Sequence, residues 1–373
     1  MEFETVIGLE VHLHLATQTK AFCGCSTAFG STPNSQTCPV CLGFPGALPV
    51  LNEKALEYAV KVALALKCSV QEYIKFDRKN YFYPDLPKNY QISQYDMPVG
   101  LGGFVECENT SGTKRKIRVK RVHLEEDAGK LIHKQDEAQS LVDFNRCGVP
   151  LLEMVSEPDM YSPQEAYDYL RNLKLIIQYL DVSDCDMEKG SLRCDANISL
   201  RPVGERALGT NIELKNMNSF KWVKCALEYE VERQSKILRD GGVITQETRL
   251  WDEKKETTHA MRSKEEAHDY RYFPDPDLVP FTLNKNFVAG IKSALPEFPH
   301  QKKARFIEAL GLSSQEADII IQDKELCQYF EECVAVFPEV KKIYNWLTGV
   351  LLGYVNDRKQ PFGSLKVMPK ELI

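Results

Sequence analysis

Over roughly the first 280 residues, apolar and polar positions alternate in short runs separated by Gly, Pro and Asn turns, with a few long stretches of helical period among them. That is the pattern of an antiparallel sheet with helices added to it, an α+β fold. Four alternating segments predict strands. In 6–15, Ile7, Leu9, Val11, Leu13 and Leu15 fall on one face and Gly8, Glu10, His12 and His14 on the other. Segment 191–200 sets Leu192, Cys194, Ala196, Ile198 and Leu200 against Ser191, Arg193, Asp195, Asn197 and Ser199, and 211–216 sets Ile212 and Leu214 against Asn211, Glu213 and Lys215. Segment 120–126 is less regular and runs into Glu125-Glu126-Asp127.

Helical period predicts helices at 53–66, with Ala55, Ala59, Val62, Ala63 and Leu66 as its stripe, and at 219–238, with Val223, Leu227, Val231 and Leu238. A third starts at the capping box Ser162-Pro163-Gln164-Glu165 and carries Leu170, Leu173, Ile177 and Leu180. Past Leu295-Pro296-Glu297-Phe298-Pro299 only helical period remains, in charged segments such as 301–310 and 314–330. The expected organisation is a catalytic domain at 1–290 and a helical domain at 291–373. The closing Met368-Pro369-Lys370-Glu371-Leu372-Ile373 offers no finishing cap, so the expectation is a truncated chain that stops where a further helical module would begin.

The polar faces carry the chemistry. A solvent face normally holds Thr, Lys, Glu and Ser, chosen for β propensity and solubility. Here Glu, His, Asp, Asn, Arg and Lys occur in single copies. Were these strands neighbours, Glu10, His12, Glu125 and Glu213 would gather into an oxygen-rich cluster suited to Mg²⁺, with Arg193 and Lys215 alongside to meet the phosphates that Mg²⁺ bridges. Asp195 and Asn197, on the face of Arg193, join the same ATP or acyl-phosphate neighbourhood. No P-loop or dinucleotide glycine fingerprint is present, so the site would be built on a sheet surface. The competing reading is a set of cross-strand salt bridges on a wet face.

Cys23, Cys25, Cys38 and Cys41 form two close pairs separated by a loop rich in Gly, Ser, Pro and Asn, within 22–42. The spacing suits a structural Zn²⁺ site, with two reduced pairs or a redox disulfide as alternatives. The other eight cysteines are scattered and read as reduced, mostly buried thiols, which fits a cytoplasmic or organelle-matrix location better than a secreted one. No run approaches the ~20 apolar residues of a membrane span. With 43% hydrophobic and 27% charged residues the composition is globular, and the net charge of −6 argues against coating nucleic acid through bulk charge.

Taken together, Val6-Ile7-Gly8-Leu9-Glu10-Val11-His12, His123-Leu124-Glu125-Glu126-Asp127-Ala128-Gly129-Lys130, Glu188-Lys189-Gly190-Ser191-Leu192-Arg193-Cys194-Asp195-Ala196-Asn197 and the strings at 76–85, 143–153, 213–219 and 261–277 resemble the B subunits of the tRNA-dependent amidotransferases. The resemblance implies a cradle of the glutamine synthetase and guanido kinase type, a helical domain, and a tail module that this chain is expected to lack. It implies that ATP phosphorylates the side-chain carboxylate of Glu-tRNA(Gln) or Asp-tRNA(Asn), and that ammonia from a glutaminase (amidase) partner then displaces the phosphate. A small third chain would complete a heterotrimer. It places Glu10, His12, Glu125 and Glu213 around Mg²⁺, adds Lys79 and Lys189 to Arg193 and Lys215 as phosphate contacts, and matches the cysteine quartet to a zinc site. No amidase Ser-Ser-Lys stretch or glutaminase cysteine elbow is present, so the chain should perform half of a reaction. The rivals are an ATP-dependent ligase of a free amino acid and a non-catalytic tRNA-binding assembly protein.

Overall fold

A computed structural model describes residues 2–108, 114–133, 139–261, 270–367 and 369–372. The chain divides into two compact units, Met1–Leu295 and Pro296–Ile373.

The first unit is organised by a nine-stranded sheet. Its spatial order is Thr257–Ala260, Glu247–Asp252, Ile212–Lys215, Leu192–Pro202, Phe3–His14, Pro150–Ser156, Lys114–Glu126, Gly100–Glu108 and Ser69–Val70. The N-terminal strand therefore lies at the centre, paired antiparallel on both sides. The four segments singled out by alternation are neighbours, joined by one strand that alternation did not flag, Pro150–Ser156, whose run Pro150-Leu151-Leu152-Glu153-Met154-Val155 is almost wholly apolar. The sheet is mixed rather than purely antiparallel: Ile212–Lys215 pairs parallel with Glu247–Asp252. The connection between them contains the helix Phe220–Arg239, and such a crossover returns the chain to the same end of the sheet.

Helices Glu53–Ala65, Pro163–Leu180 and Phe220–Arg239 pack on the apolar face, over the side of Ile7, Leu9, Val11 and Leu13, all of which are buried. Asn52, Ser162 and Ser219 cap them through side-chain oxygens. Each cap contributes about 1 kcal/mol. The fully buried Leu170, Leu173 and Ile177 contribute about 1.5–3 kcal/mol apiece, so packing against the sheet dominates. At Ser162 the box is open on one side: the Glu165 carboxylate accepts from Tyr161 N–H, not from the Ser162 backbone. A smaller sheet of Phe273–Pro274, Asp77–Asn80 and Tyr90–Ser93 abuts the end of Lys114–Glu126.

In the second unit Pro299–Leu310, Ser314–Ile321 and Lys324–Val336 pack around Phe306 and Phe330, whose rings meet edge to face at 5.3 Å. The segment of helical period at 314–330 is divided at Gln322–Asp323, because the Asp323 carboxylate accepts from Leu326 N–H and starts a new helix there. No helix among the described residues is long and apolar enough to cross a membrane. Within the string at 261–277, residues 262–269 lie outside the described residues, as do Met368 and Ile373 of the closing segment.

Candidate functional site

Register brings the polar positions into rows across the open face. His12 is paired on one side with Arg193 and on the other with Glu153, which is itself paired with His123. One strand position away Glu10 is paired with Asp195, and beyond that Gly8 with Asn197 and Asn197 with Glu213. On the other side Leu151 is paired with His14 and with Glu125. The period of two on five adjacent strands is the whole reason these side chains share a surface.

Two subsets emerge. His12, Glu125 and Glu153 bring one donor atom each to within 4.8 Å of one another. His12 Nε2 is 3.3 Å from Glu153 Oε2, His123 Nε2 is 3.3 Å from the same oxygen and 3.5 Å from Glu125 Oε2, and Ser93 Oγ donates to Glu125 at 2.9 Å. Burial works against both imidazolium ions, but the Glu153 hydrogen bond and charge hold His12 above its ordinary value. The charge of Glu153, with the hydrogen bond to Glu125, carries His123 up to about 9. Burial pushes the two carboxyls up, yet these imidazoles hold Glu125 and Glu153 below the usual range.

The second subset holds Glu10, Asp195, Asn197, Glu213 and Lys215. Lys215 Nζ lies 3.0 Å from Asp195 and 3.0 Å from Glu213, Asn197 Nδ2 donates to Glu10 Oε1 at 3.1 Å, and Thr248 Oγ1 donates to Glu213 at 2.7 Å. Burial, then the Glu153 charge, raises the Glu10 carboxyl. The four acidic and imidazole positions expected to form one cluster thus separate: His12 and Glu125 converge with Glu153, while Glu10 and Glu213 stand in the adjoining rows.

Cations surround both subsets. Lys79 lies 4.7 Å from the Tyr270 ring centroid, and although burial opposes its charge, Glu125 and then the neighbouring tyrosines and Glu153 hold its ammonium in the charged form. Arg193 donates to Asp127 Oδ2 at 2.8 Å, an oxygen that His14 Nε2 also reaches at 2.6 Å and Arg146 Nε at 3.3 Å. Lys189 sits apart, on the exposed turn before Leu192–Pro202, ion-paired with Asp186 at 3.0 Å and Asp184 at 3.7 Å. Arg121 Nε, His123 Nδ1 and Arg193 Nε are buried and have no hydrogen-bond partner among the described residues. Buried donors of this kind are normally satisfied, and three on one face fit a surface that completes its bonding with a ligand.

Sequence reasoning passed over Glu153, His123, His14, Asp127 and Arg121. Arg121 and His123 were legible as the period-two companions of Glu125, and Glu153 as the one charge in an apolar run.

Cys23, Cys25, Cys38 and Cys41 also converge within 4.8 Å of one another. Lys20, fully buried, donates to Gln36 O at 2.7 Å and lies 3.7 Å from Cys41 Sγ, to which Cys38 N–H donates at 3.2 Å. A hydrogen bond from Cys23 lowers the Cys41 thiol, with Lys20 adding to the effect, while the same bond raises the Cys23 thiol and burial pushes Cys25 up to about 11. Four convergent sulfurs suit a closed tetrahedral ion. Of the other eight cysteines only Cys225 is not buried.

The family described as the GatB/GatE catalytic domain matches residues 5–289. The B subunit of the aspartyl/glutamyl-tRNA(Asn/Gln) amidotransferase of Thermoanaerobacter sp. (strain X514) is 54% identical over 373 residues, all of this chain and 78% of that protein. Those of Caldanaerobacter subterraneus subsp. tengcongensis and Carboxydothermus hydrogenoformans are 55% and 54% identical, again over all of this chain and 78% of the relative. The chain belongs to the GatB/GatE catalytic-domain family, among its aspartyl/glutamyl-tRNA(Asn/Gln) amidotransferase B subunits.

Proposed function

We propose that the open face of the sheet is a phosphoryl-transfer site. On it ATP activates the side-chain carboxylate of Glu-tRNA(Gln) or Asp-tRNA(Asn), and ammonia supplied by a glutaminase partner converts the activated acyl group to the amide. The convergence of His12, Glu125 and Glu153 on a face ringed by Lys79, Arg193 and Lys215 carries this reading. The sheet would serve as a cradle of the glutamine synthetase and guanido kinase type, and a small third chain would complete the assembly.

A carboxylate is a poor acyl donor because oxide would have to leave. Its oxygen attacks the γ-phosphorus, the bond to the bridging oxygen breaks, and ADP departs with the electron pair. Ammonia then attacks the acyl carbon, phosphate leaves, and one proton is lost. Such a transfer needs positioning and charge neutralisation more than covalent help. His12, Glu125 and Glu153 would hold Mg²⁺, which supplies positive charge to the phosphate oxygens. Binding it requires His12 to release the proton that Glu153 now favours. Lys79 and Arg193 would meet the transferred group, with Arg193 held in place by Asp127. Glu10, Glu213 and Lys215 would line the adjoining phosphates, and Lys189 would act at the rim. The cysteine quartet would hold structural Zn²⁺ and fix its loop.

The test is ADP release by the chain co-expressed with the glutaminase and its small partner. Release that requires charged tRNA supports the reading. Turnover of free amino acid without tRNA favours a small-molecule ligase, and absence of ADP in every combination overturns catalysis.

A further inference from the structure

Among the described residues Arg121 has no ion pair, and its buried Nε has no acceptor. Arg193, by contrast, is ion-paired with Asp127, and Lys215 with Asp195 and Glu213. A face rich in carboxylates thus leaves this one guanidinium open. Part of the reason is register. In the row that runs Asp195, Glu10, Val155, Arg121, the apolar Val155 holds Glu10 and Arg121 a full strand apart.

The strand is bent to put Arg121 on this face. Val155 is paired with Arg121 but Ser156 with Val119, so Lys120 is an extra residue in Lys114–Glu126. Ile117 and Val119 are buried before it, Val122 and Leu124 after it, and the buried side of the strand therefore passes from odd positions to even ones. Without the bulge Arg121 would share the buried side with Val119; with it, Arg121 joins His123 and Glu125. In the neighbouring strand Gly102 takes φ 54° between the pairs Leu101 with Arg121 and Gly103 with Val119, a conformation that glycine adopts without strain. A bulge beside a site commonly re-aims a side chain in this way.

What Arg121 faces is set by the aromatic row next to it. Burial raises the Tyr272 phenol; Lys79 and, more weakly, Arg121 act the other way, while Glu125 and Glu153 add to the rise, so all four groups stand around this ring. Tyr272 stacks on Tyr95 at 4.3 Å and meets Tyr270 edge to face at 6.0 Å, and Lys79 lies 4.7 Å from the Tyr270 ring. These rings border the site at its end away from Lys215.

Phosphoryl transfer runs in line, with the attacking and leaving oxygens on opposite sides of the transferred group. If the donor phosphates lie along Lys215 and Arg193, the attacking carboxylate enters from the Lys114–Glu126 side. There it meets Glu125 and Glu153, which repel it unless a cation stands by. We propose that Arg121 is that cation, binding one oxygen of the aminoacyl side-chain carboxylate and leaving the other free to attack the γ-phosphorus. The inference rests on the phosphoryl-transfer reading and adds the residue that receives the acyl acceptor. Arg121 keeps its protons throughout. A guanidinium stays charged and presents its N–H groups in one plane, so it fixes the carboxylate's orientation as well as offsetting its charge.

The experiment uses the complex with the glutaminase and its small partner. Without ATP, the Kd of Glu-tRNA(Gln) is compared with that of the same tRNA uncharged, and the Kd of ATP with Mg²⁺ is measured separately. Wild type is expected to hold the charged tRNA more tightly. Arg121→Gln should weaken the charged tRNA at least about tenfold, the scale of one hydrogen bond to a charged group, while uncharged tRNA and ATP bind as before and report a folded chain. Arg121→Lys, which keeps the charge but not the planar fork, should recover part of the loss. Equal binding of the two tRNAs by wild type overturns the proposal, as does a preference that survives in Arg121→Gln. Weakening of ATP by the same factor assigns Arg121 to the donor phosphates instead, and weakening of both tRNAs alike assigns it to the RNA backbone; either result overturns it. Wild type that releases no ADP with charged tRNA removes the phosphoryl-transfer reading itself, whereas undiminished ADP release by both variants removes only the Arg121 assignment.

Discussion

Glu153 Oε2 stands 3.3 Å from His12 Nε2, reaching across from the neighbouring strand, and is shared with His123 at the same distance on its other side. One carboxylate oxygen thus serves two imidazoles, and against burial the hydrogen bond and charge of Glu153 raise both above their ordinary values. Glu153→Gln is expected to lower tRNA-dependent ADP release by roughly 100-fold or more, the scale of losing one preorganised charge partner of a reacting centre. Far-UV circular dichroism and Tm should show a folded chain. Turnover near wild type would remove Glu153 from the site.

Asp127 is the second hinge of the electrostatics. Arg193 is the foremost cation among those that hold its carboxyl well below the ordinary range against burial. Asp127→Asn leaves Arg193, Arg146 and His14 without their shared anion. Urea unfolding should show a loss of about 3–5 kcal/mol, the magnitude for breaking a buried pair from one side. An unchanged midpoint would mean that solvent already screens these ions.

For the cysteine quartet, Cys38→Ser together with Cys41→Ser is expected to take bound zinc from about one ion per chain to none and to lower Tm by several degrees. Elemental analysis of the purified double variant decides it. Zinc retained at the wild-type level would refute four-thiolate binding.

Glu230 gives a pH test away from the site. It is fully buried on helix Phe220–Arg239, accepts from Arg233 at 2.8 Å, Thr258 at 2.5 Å and Gln234 at 3.0 Å, and lies 3.1 Å from Arg249 Nε. Burial favours the neutral acid, but the Arg233, Thr258 and Gln234 hydrogen bonds hold its pKa below the ordinary value. A depressed carboxyl adds stability that is complete above its unfolded pKa, about 4.3, and fades as pH falls through the folded value. Glu230→Gln should therefore cost stability at pH 7 and flatten the acid limb of the stability profile below about pH 5. A parallel-shifted profile of unchanged shape would show that Glu230 is not titrating in that range.

Alternation made the central strands and most of the polar face legible, because a period of two places every second residue on one surface whatever the partners are. Pro150–Ser156 was not legible by that rule. It is buried on both faces, Val155 alone only in part, so its apolar run carries no alternation, and the strand that joins His12 to Glu125 went unassigned to the cluster. The separation of Glu10 and Glu213 from the His12 group was also hidden, since it depends on which residues stand opposite one another, and register is a property of pairs. Lys189 sat in a matching string but on an exposed turn, where a charge finds the nearest aspartates first.

The placement of Phe3–His14 in the middle of the sheet sets a condition on how the molecule can be made. Its neighbours on either side, Pro150–Ser156 and Leu192–Pro202, follow it by about 145 and 185 residues, as the pairings of Glu10 with Val155 and Asp195 show. At roughly 5–20 residues per second of synthesis, the first strand leaves the ribosome some 7–30 s before a partner exists. During that interval Ile7, Leu9, Val11 and Leu13 have no sheet to join, so the nascent chain carries an unpaired, half-apolar ribbon. A chaperone holding that ribbon, or early docking of the Glu53–Ala65 helix beside it, would govern yield, and the polar face can be assembled only after Ile212–Lys215 has been made.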